Sequence, residues 1–95
     1  MTGLFWTPEA VRDREAIFDH ILADNPMAAL AMDELFEAQS LQLIAQPHLG
    51  RLGRVPGTRE WVAHPSYVLI YDLLGPQIRL LRVLHTARQW PSQAG

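Results

Sequence analysis

The hydrophobic periodicity of this chain changes once, across a segment rich in proline and glycine at residues 47–57. Before this segment, apolar residues recur every three or four positions, as they do in amphipathic helices. After it, they form three short runs rich in β-branched, aromatic and leucine residues, as they do in strands. Helices and strands in separate halves of one chain predict an α+β fold with the helices packed on a sheet.

Two helices are predicted in the first half, and each begins at a proline that follows a capping residue. Thr7 and Asn25 are the caps, because their side-chain oxygens can accept from free N–H groups while proline at the first helical position loses no bond. We expect helices over Pro8–Ala23 and Pro26–Ala45, packed as an antiparallel hairpin because their connection is short. The expected core-facing residues are Val11, Ile17, Phe18, Ile21 and Leu22 in the first helix, and Ala28, Ala31, Met32, Leu35, Phe36 and Leu43 in the second.

The second half predicts an antiparallel meander of three strands. These are Thr58–His64, Tyr67–Leu73 and Ile78–Leu84, and Leu4–Trp6 is expected to add an edge strand. The run from Tyr67 is apolar on both faces, so it should be the central strand. Strict alternation puts Arg79, Leu81, Val83 and His85 on one face of the last strand, and Ile78, Leu80, Arg82 and Leu84 on the other.

The predicted architecture is therefore a two-helix hairpin packed on one face of a small, mainly antiparallel twisted sheet. The other face must then be exposed or covered by a partner. We expect a single domain over residues 1–95, with a strand and helical hairpin at 1–46, a connector at 47–57, a β-meander at 58–85 and a tail at 86–95.

Composition excludes several classes of protein. The chain has 95 residues, 48% of them apolar, and no cysteine, which excludes disulfides, thiolate zinc sites and a cysteine nucleophile. No apolar run is long enough to span a bilayer, and the first residues lack the pattern of a signal peptide. The expected location is the cytoplasm, with no membrane association.

Acidic and basic residues are unevenly distributed along the chain. Residues 1–46 hold eight acids and two arginines, whereas residues 47–95 hold six arginines and two acids. A basic surface on an acidic support suits an anionic partner. Solvated acidic helices beside a few sheet arginines would give the same distribution, so both interpretations stay open.

Few residues suggest a metal, cofactor or phosphate site. The four histidines lack the spacing of a chelating pair, so we expect neither a metal nor a cofactor. The glycines of the segment Gly50–Arg54 do not connect a strand to a helix, so they are not placed to bind phosphate at a helix N-terminus. We expect this segment to be a flexible loop that carries arginines.

Two small clusters contain residues suited to acid–base chemistry. Arg59 and Glu60 lie on the first strand of the meander, and His85 and Arg88 lie at and beyond the end of the last strand. Histidine and carboxylate can move protons while arginines hold phosphate, as in a metal-free ribonuclease. We expect these four residues to lie close together near one side of the sheet. The structural alternative is a histidine that hydrogen-bonds to backbone and a glutamate paired to an arginine.

The order of several motifs resembles the RelE/ParE superfamily of bacterial type II toxins. The motifs are Leu49–Arg51, Gly57–Glu60, Tyr67–Tyr71 and Arg82–His85 with Ala87 and Arg88, preceded by Asp24–Pro26 in the turn between the helices. The resemblance covers nearly the whole chain. It implies a small toxin that is neutralised by an antitoxin encoded beside it.

The resemblance implies one of two activities. RelE-like members cut messenger RNA on the ribosome and typically place an arginine after the first tyrosine of the central strand, where this chain has Val68. Their C-terminal tyrosine or basic residues are also missing, although Arg59, His85 and Arg88 fall where some nuclease members carry catalytic groups. ParE-like members carry an apolar residue there and end in a Val-Leu-His-x-x-Arg pattern, which this sequence matches. The resemblance therefore favours a ParE-like inhibitor of DNA gyrase, which blocks replication, over a RelE-like endoribonuclease.

A partner is expected for the uncovered sheet face. The resemblance implies an antitoxin segment that folds on binding, either as a helix in a groove or as a strand added at an open edge. We expect this segment to be acidic and to pair with forked arginine donors in a toxin–antitoxin hetero-oligomer. The expected partner-binding arginines are Arg51, Arg54, Arg79 and Arg82.

Overall fold

The computed structural model describes residues 3–87, which form a five-stranded sheet and two helices. In chain order the elements are β1 (Gly3–Trp6), α1 (Pro8–Leu22), α2 (Pro26–Ala45), β2 (Arg51–Leu52), β3 (Thr58–His64), β4 (Tyr67–Leu74) and β5 (Gln77–His85). The α+β architecture predicted from the sequence is confirmed.

Both helices begin at the predicted caps. The Thr7 hydroxyl accepts from the Ala10 N–H at 3.2 Å, and the Asn25 side-chain oxygen accepts from the Ala28 N–H at 3.1 Å. A proline opens each helix. The helix bounds match the prediction except that α1 ends one residue earlier, at Leu22.

The strands follow the order β1-β5-β4-β3-β2 across the sheet. β4 lies at the centre, as its apolar character on both faces predicts. β1 is the predicted edge strand and runs parallel to β5, whereas the other neighbours are antiparallel. The sheet is therefore mainly antiparallel, as expected.

The expected loop at Gly50–Arg54 contains a short strand, which corrects the sequence prediction. Arg51 lies opposite Glu60, and the Gly53 N–H donates to the Thr58 carbonyl at 2.7 Å. Gly57 has φ +86°, a left-handed conformation that glycine adopts without the strain a side chain brings. The chain therefore reverses tightly and lays β2 along the edge of β3.

The main core lies between the helical hairpin and one face of the sheet. Leu69 and Tyr71 of β4 are completely buried there against helix residues that include Phe36 and Leu43. The full buried set on this side is Ala10, Phe36, Leu43, Ala63, Leu69, Tyr71, Ile78, Leu80 and Val83.

The predicted helix faces are only partly correct. In α1 Val11 and Leu22 are about 40% exposed, and Ala10 is the fully buried position. In α2 Ala29 and Ser40 are buried, whereas Ala31 is exposed. Apolar residues occur on most sides of α2, so its sequence pattern does not indicate which face is buried. Within residues 3–87, neither helix combines the length and apolar character needed to cross a membrane.

A β-bulge in β5 overturns the predicted alternation of that strand. Ile70 pairs with Arg82 and the next residue, Tyr71, pairs with Leu80, so Leu81 is an extra residue. Ile78, Leu80 and Val83 consequently share the helix-covered face. Leu84 and Leu81 pack on the opposite face, which we call the open face.

Candidate functional site

The open face of the sheet carries a groove of about 400 Å³. Its floor is apolar, because Val68 and Ile70 of β4 and Leu84 of β5 form a small buried cluster there. Val62 is 48% exposed beside them. The β2 segment forms one wall, and the full lining is Arg51, Leu52, Gly53, Arg54, Glu60, Val62, Val68, Ile70, Leu84 and Thr86.

Glu60 bonds two residues of the β2 wall. One carboxylate oxygen accepts from the Arg51 guanidinium at 3.0 Å, and the other accepts from the Arg54 backbone N–H at 3.3 Å. The Arg51 side chain is 72% exposed, so this ion pair contributes little to stability. Arg51 and Arg54 are both exposed and both line the groove.

Arg59 lies on the opposite face of β3 from Glu60, since successive residues of a strand point to opposite sides. It pairs with Tyr71 across the sheet, and its guanidinium donates to the Gly50 carbonyl at 2.7 Å. A longer bond of 3.4 Å reaches the His48 carbonyl. Arg59 therefore fastens the segment before β2 to the helix-covered side of the sheet.

His85 lies at the far end of β5, opposite Tyr67. Its Nδ1 accepts from the Ala87 N–H at 3.1 Å, and its ring meets that of Tyr67 edge to face at 5.5 Å. His85 also lines a separate cavity of about 270 Å³ together with His20 and Asp13.

The described residues of the predicted catalytic cluster do not come together. Arg59 and Glu60 point to opposite faces. His85 pairs with β4 four positions before the residue that pairs with Arg59, a separation of about 13 Å along the strand. The expected proximity is therefore wrong for these three residues, and Arg88 lies outside the described residues. His85 bonds to backbone and Glu60 pairs with Arg51, which are the contacts that the structural alternative describes.

Besides Arg51, two more of the predicted partner-binding arginines are engaged within the chain. The Arg79 Nε donates to Asp72 at 2.8 Å, and the Arg82 Nε donates to Asp13 of α1 at 2.7 Å. These hydrogen bonds raise the pKa of both arginines above the ordinary value. Asp13 also accepts from the Val83 N–H at 2.9 Å, so its carboxylate joins α1 to β5 just beyond the bulge.

Sequence reasoning missed the apolar floor of the groove and the role of Tyr71. The Tyr71 hydroxyl donates to the Pro47 carbonyl at 2.8 Å and accepts from the Gly50 N–H at 2.9 Å. The sequence does contain a signal for this floor, since Tyr67–Tyr71 is apolar on both faces and only one face can lie under the helices. Among residues 3–87, no group of three or more His, Asp or Glu side chains is arranged to hold a metal ion.

Comparisons with known proteins agree with this architecture. Residues 4–90 match the family model described as ParE toxin of type II toxin-antitoxin system, parDE. Toxin RelE2 of Caulobacter vibrioides is 33% identical over 88 residues, which are 93% of this chain and 99% of that protein. A solved structure titled chromosomal ParDE TA system from P. aeruginosa superposes with a TM-score of 0.81 at 29% identity, covering 90% of this chain and 96% of that one.

The family match extends from β1 to beyond the last described residue, so it includes the helical hairpin, the sheet and the lining of the groove. The RelE/ParE resemblance seen in the sequence is confirmed. The chain belongs to the ParE toxin family of type II toxin–antitoxin systems.

Proposed function

We propose that this toxin acts by binding DNA gyrase and blocking replication, and that it does not cleave RNA. The observation that carries this proposal is the separation of Arg59, Glu60 and His85. A general base, a general acid and a phosphate-binding arginine must all reach one phosphodiester group. Here Arg59 is hydrogen-bonded to loop carbonyls, Glu60 lies on the opposite face of the sheet, and His85 lies at the other end of the sheet.

The position of Val68 supports the same proposal. RelE-like nucleases typically carry an arginine there, and in this chain the residue is a buried part of the apolar floor. The net charge of the chain is −2, whereas a protein that grips RNA through its phosphates usually needs a basic surface. The name of the Caulobacter relative, RelE2, makes the RelE-like ribosome-dependent endoribonuclease the alternative to test.

A direct test separates the two activities in vitro. The purified toxin is incubated with gyrase and supercoiled DNA, and separately with ribosomes carrying a messenger RNA. We expect cleaved DNA trapped on gyrase and intact messenger. Cut messenger at the ribosome with unaffected gyrase would overturn the proposal.

Substitutions at the dispersed residues give a second test. His85→Ala and Arg59→Ala should each reduce toxicity only in part, because the two side chains are not placed to act together on one phosphodiester group. A nuclease would instead lose its toxicity completely while still binding its antitoxin. Growth after induction measures toxicity, and copurification with the antitoxin shows that each variant folds.

We also propose that a cognate antitoxin neutralises this toxin by covering the open face. The groove combines an apolar floor with the exposed Arg51 and Arg54 side chains, which suits an acidic amphipathic segment. β2 pairs with β3 only through Arg59 and Glu60. Within the described residues, Trp61–His64 therefore has no strand neighbour on that side, and a strand of the antitoxin can add there.

Charge removal at the groove tests this interface. Arg51→Ala combined with Arg54→Ala should weaken antitoxin binding by about tenfold or more and reduce its salt dependence. Arg12→Ala on α1 is a control for loss of one exposed arginine, because its side chain is 70% exposed and does not line the groove. Equal binding by the double variant and the control would rule out the arginine wall as the contact surface.

A further inference from the structure

A second groove lies between the two helices, separated from the open face by the main core. It has a volume of about 330 Å³ and is lined by Val11, Arg14, Glu15, Phe18, Asp19 and Asp33. The antitoxin interface proposed above does not involve these residues. This inference therefore does not rest on the proposed function.

An apolar strip on α1 lines the groove at Val11 and Phe18 and continues beyond the lining to Leu22. Val11, Phe18 and Leu22 recur at helical spacing on one flank of α1. Val11 is 39% exposed and Leu22 is 41% exposed. On α2 Leu30 is 49% exposed, three residues before Asp33 of the lining. Exposed apolar side chains gathered along one surface are typical of protein contact sites.

The charges around this strip are predominantly acidic. The Arg14 guanidinium lies within the groove, but it bonds Asp33 at 3.0 Å and Glu37 at 3.0 Å, so its charge is more than balanced. Glu15 and Asp19 line the same groove and form no ion pair within residues 3–87. The arrangement is an apolar strip flanked by unneutralised carboxylates.

We propose that the groove between α1 and α2 binds a basic amphipathic helix of a second protein partner. The apolar side of such a helix would fill the strip at Val11 and Phe18, and its cations would meet Glu15 and Asp19. The acidic flanks repel nucleic acid and anionic lipid surfaces. They also oppose a symmetric dimer through this face, because each copy would bring the same carboxylates to the contact.

A designed peptide tests the groove without knowledge of the partner. The probe is a synthetic helical peptide with leucine at the heptad a and d positions and arginine at the other positions. Two control peptides have glutamate in place of arginine, or the same composition in scrambled order. Fluorescence anisotropy measures their binding to the purified toxin. We expect the basic amphipathic peptide to bind at least about tenfold more tightly than either control.

Charge-reversed variants then locate the binding. Glu15→Arg combined with Asp19→Arg should weaken binding of the basic peptide by about tenfold or more and should strengthen binding of the acidic peptide. Glu9→Arg combined with Asp24→Arg makes the same change in net charge outside the groove and should retain binding. Circular dichroism verifies that both variants fold. The proposal is overturned by equal binding of all three peptides, or by equal losses in the two double variants.

Discussion

Tyr71 connects the central strand to the segment that carries the groove wall. Its ring is completely buried in the main core, and its hydroxyl bonds the Pro47 carbonyl and the Gly50 N–H. Tyr71→Phe should reduce the free energy of unfolding by about 1–3 kcal/mol, because both backbone groups lose a buried partner. Urea denaturation measures the loss. Tyr67→Phe is the matched control, since its hydroxyl makes no hydrogen bond within residues 3–87.

The same tyrosine should make stability depend on pH in the alkaline range. Burial raises the pKa of Tyr71 above its ordinary value of 10.0, although the Gly50 hydrogen bond and the Arg59 charge act against this shift. The folded state therefore holds the phenolic proton more tightly than the unfolded state does. Its contribution to stability is fully present below pH 10 and is lost as pH rises through the folded-state pKa.

Ultraviolet absorbance of tyrosinate tests this shift directly. The chain has two tyrosines, so in Tyr67→Phe the signal comes from Tyr71 alone. Its midpoint in the folded protein should lie above that of the same variant unfolded in urea. Coincident midpoints would contradict the assigned effect of burial.

Leu69 should be among the positions most sensitive to truncation. It is completely buried between β4 and the helices, so Leu69→Ala should cost about 2–5 kcal/mol through lost contacts and a residual cavity. Val62→Ala on the exposed side of β3 is the control and should cost much less, because Val62 is 48% exposed. Thermal unfolding of the two variants gives the comparison, and equal costs would contradict the assigned faces.

Among the elements, β5 should tolerate deletion of one residue at its bulge. Removing Leu81 leaves Leu80 and Arg82 adjacent, and each remaining residue of the strand keeps its present face. The Leu81 deletion should therefore fold, with some loss of stability because Leu81 packs on the open face and its carbonyl accepts from Thr7. Deleting Val68 from the regular part of β4 should abolish folding, since it turns Leu69 to the wrong face. Antitoxin copurification and circular dichroism distinguish the outcomes.

The elements themselves were largely predictable from the sequence, and their irregularities were not. Pro8 and Pro26 sit directly after residues that can cap a helix, which is a local signal that survives folding. Leu81 carries no such signal, because a bulge is set by how β5 meets β4 and by the Asp13 carboxylate that bonds Val83 beyond it. β2 was missed for the same reason, since two residues become a strand only through pairing with Arg59 and Glu60.

In the molecule as a whole, the helices cover one face of the sheet and leave the other face open. This division determines which side chains can act together. Arg59 and Glu60 are adjacent in one strand, so their side chains point to opposite faces of the sheet. The two-residue period of strands was sufficient to predict this. The apolar floor of the groove required the topology, because Leu84 reaches Val68 only through the register of β4 and β5.

Whether this ParE-family toxin blocks replication by binding gyrase, as we propose, is testable in living cells. The most direct measurement is to induce the toxin in growing cells and pulse-label DNA synthesis and protein synthesis separately. We expect an early loss of DNA synthesis with DNA-damage signalling, while translation continues. An early loss of translation with intact replication would contradict it and would favour the ribosome-dependent endoribonuclease.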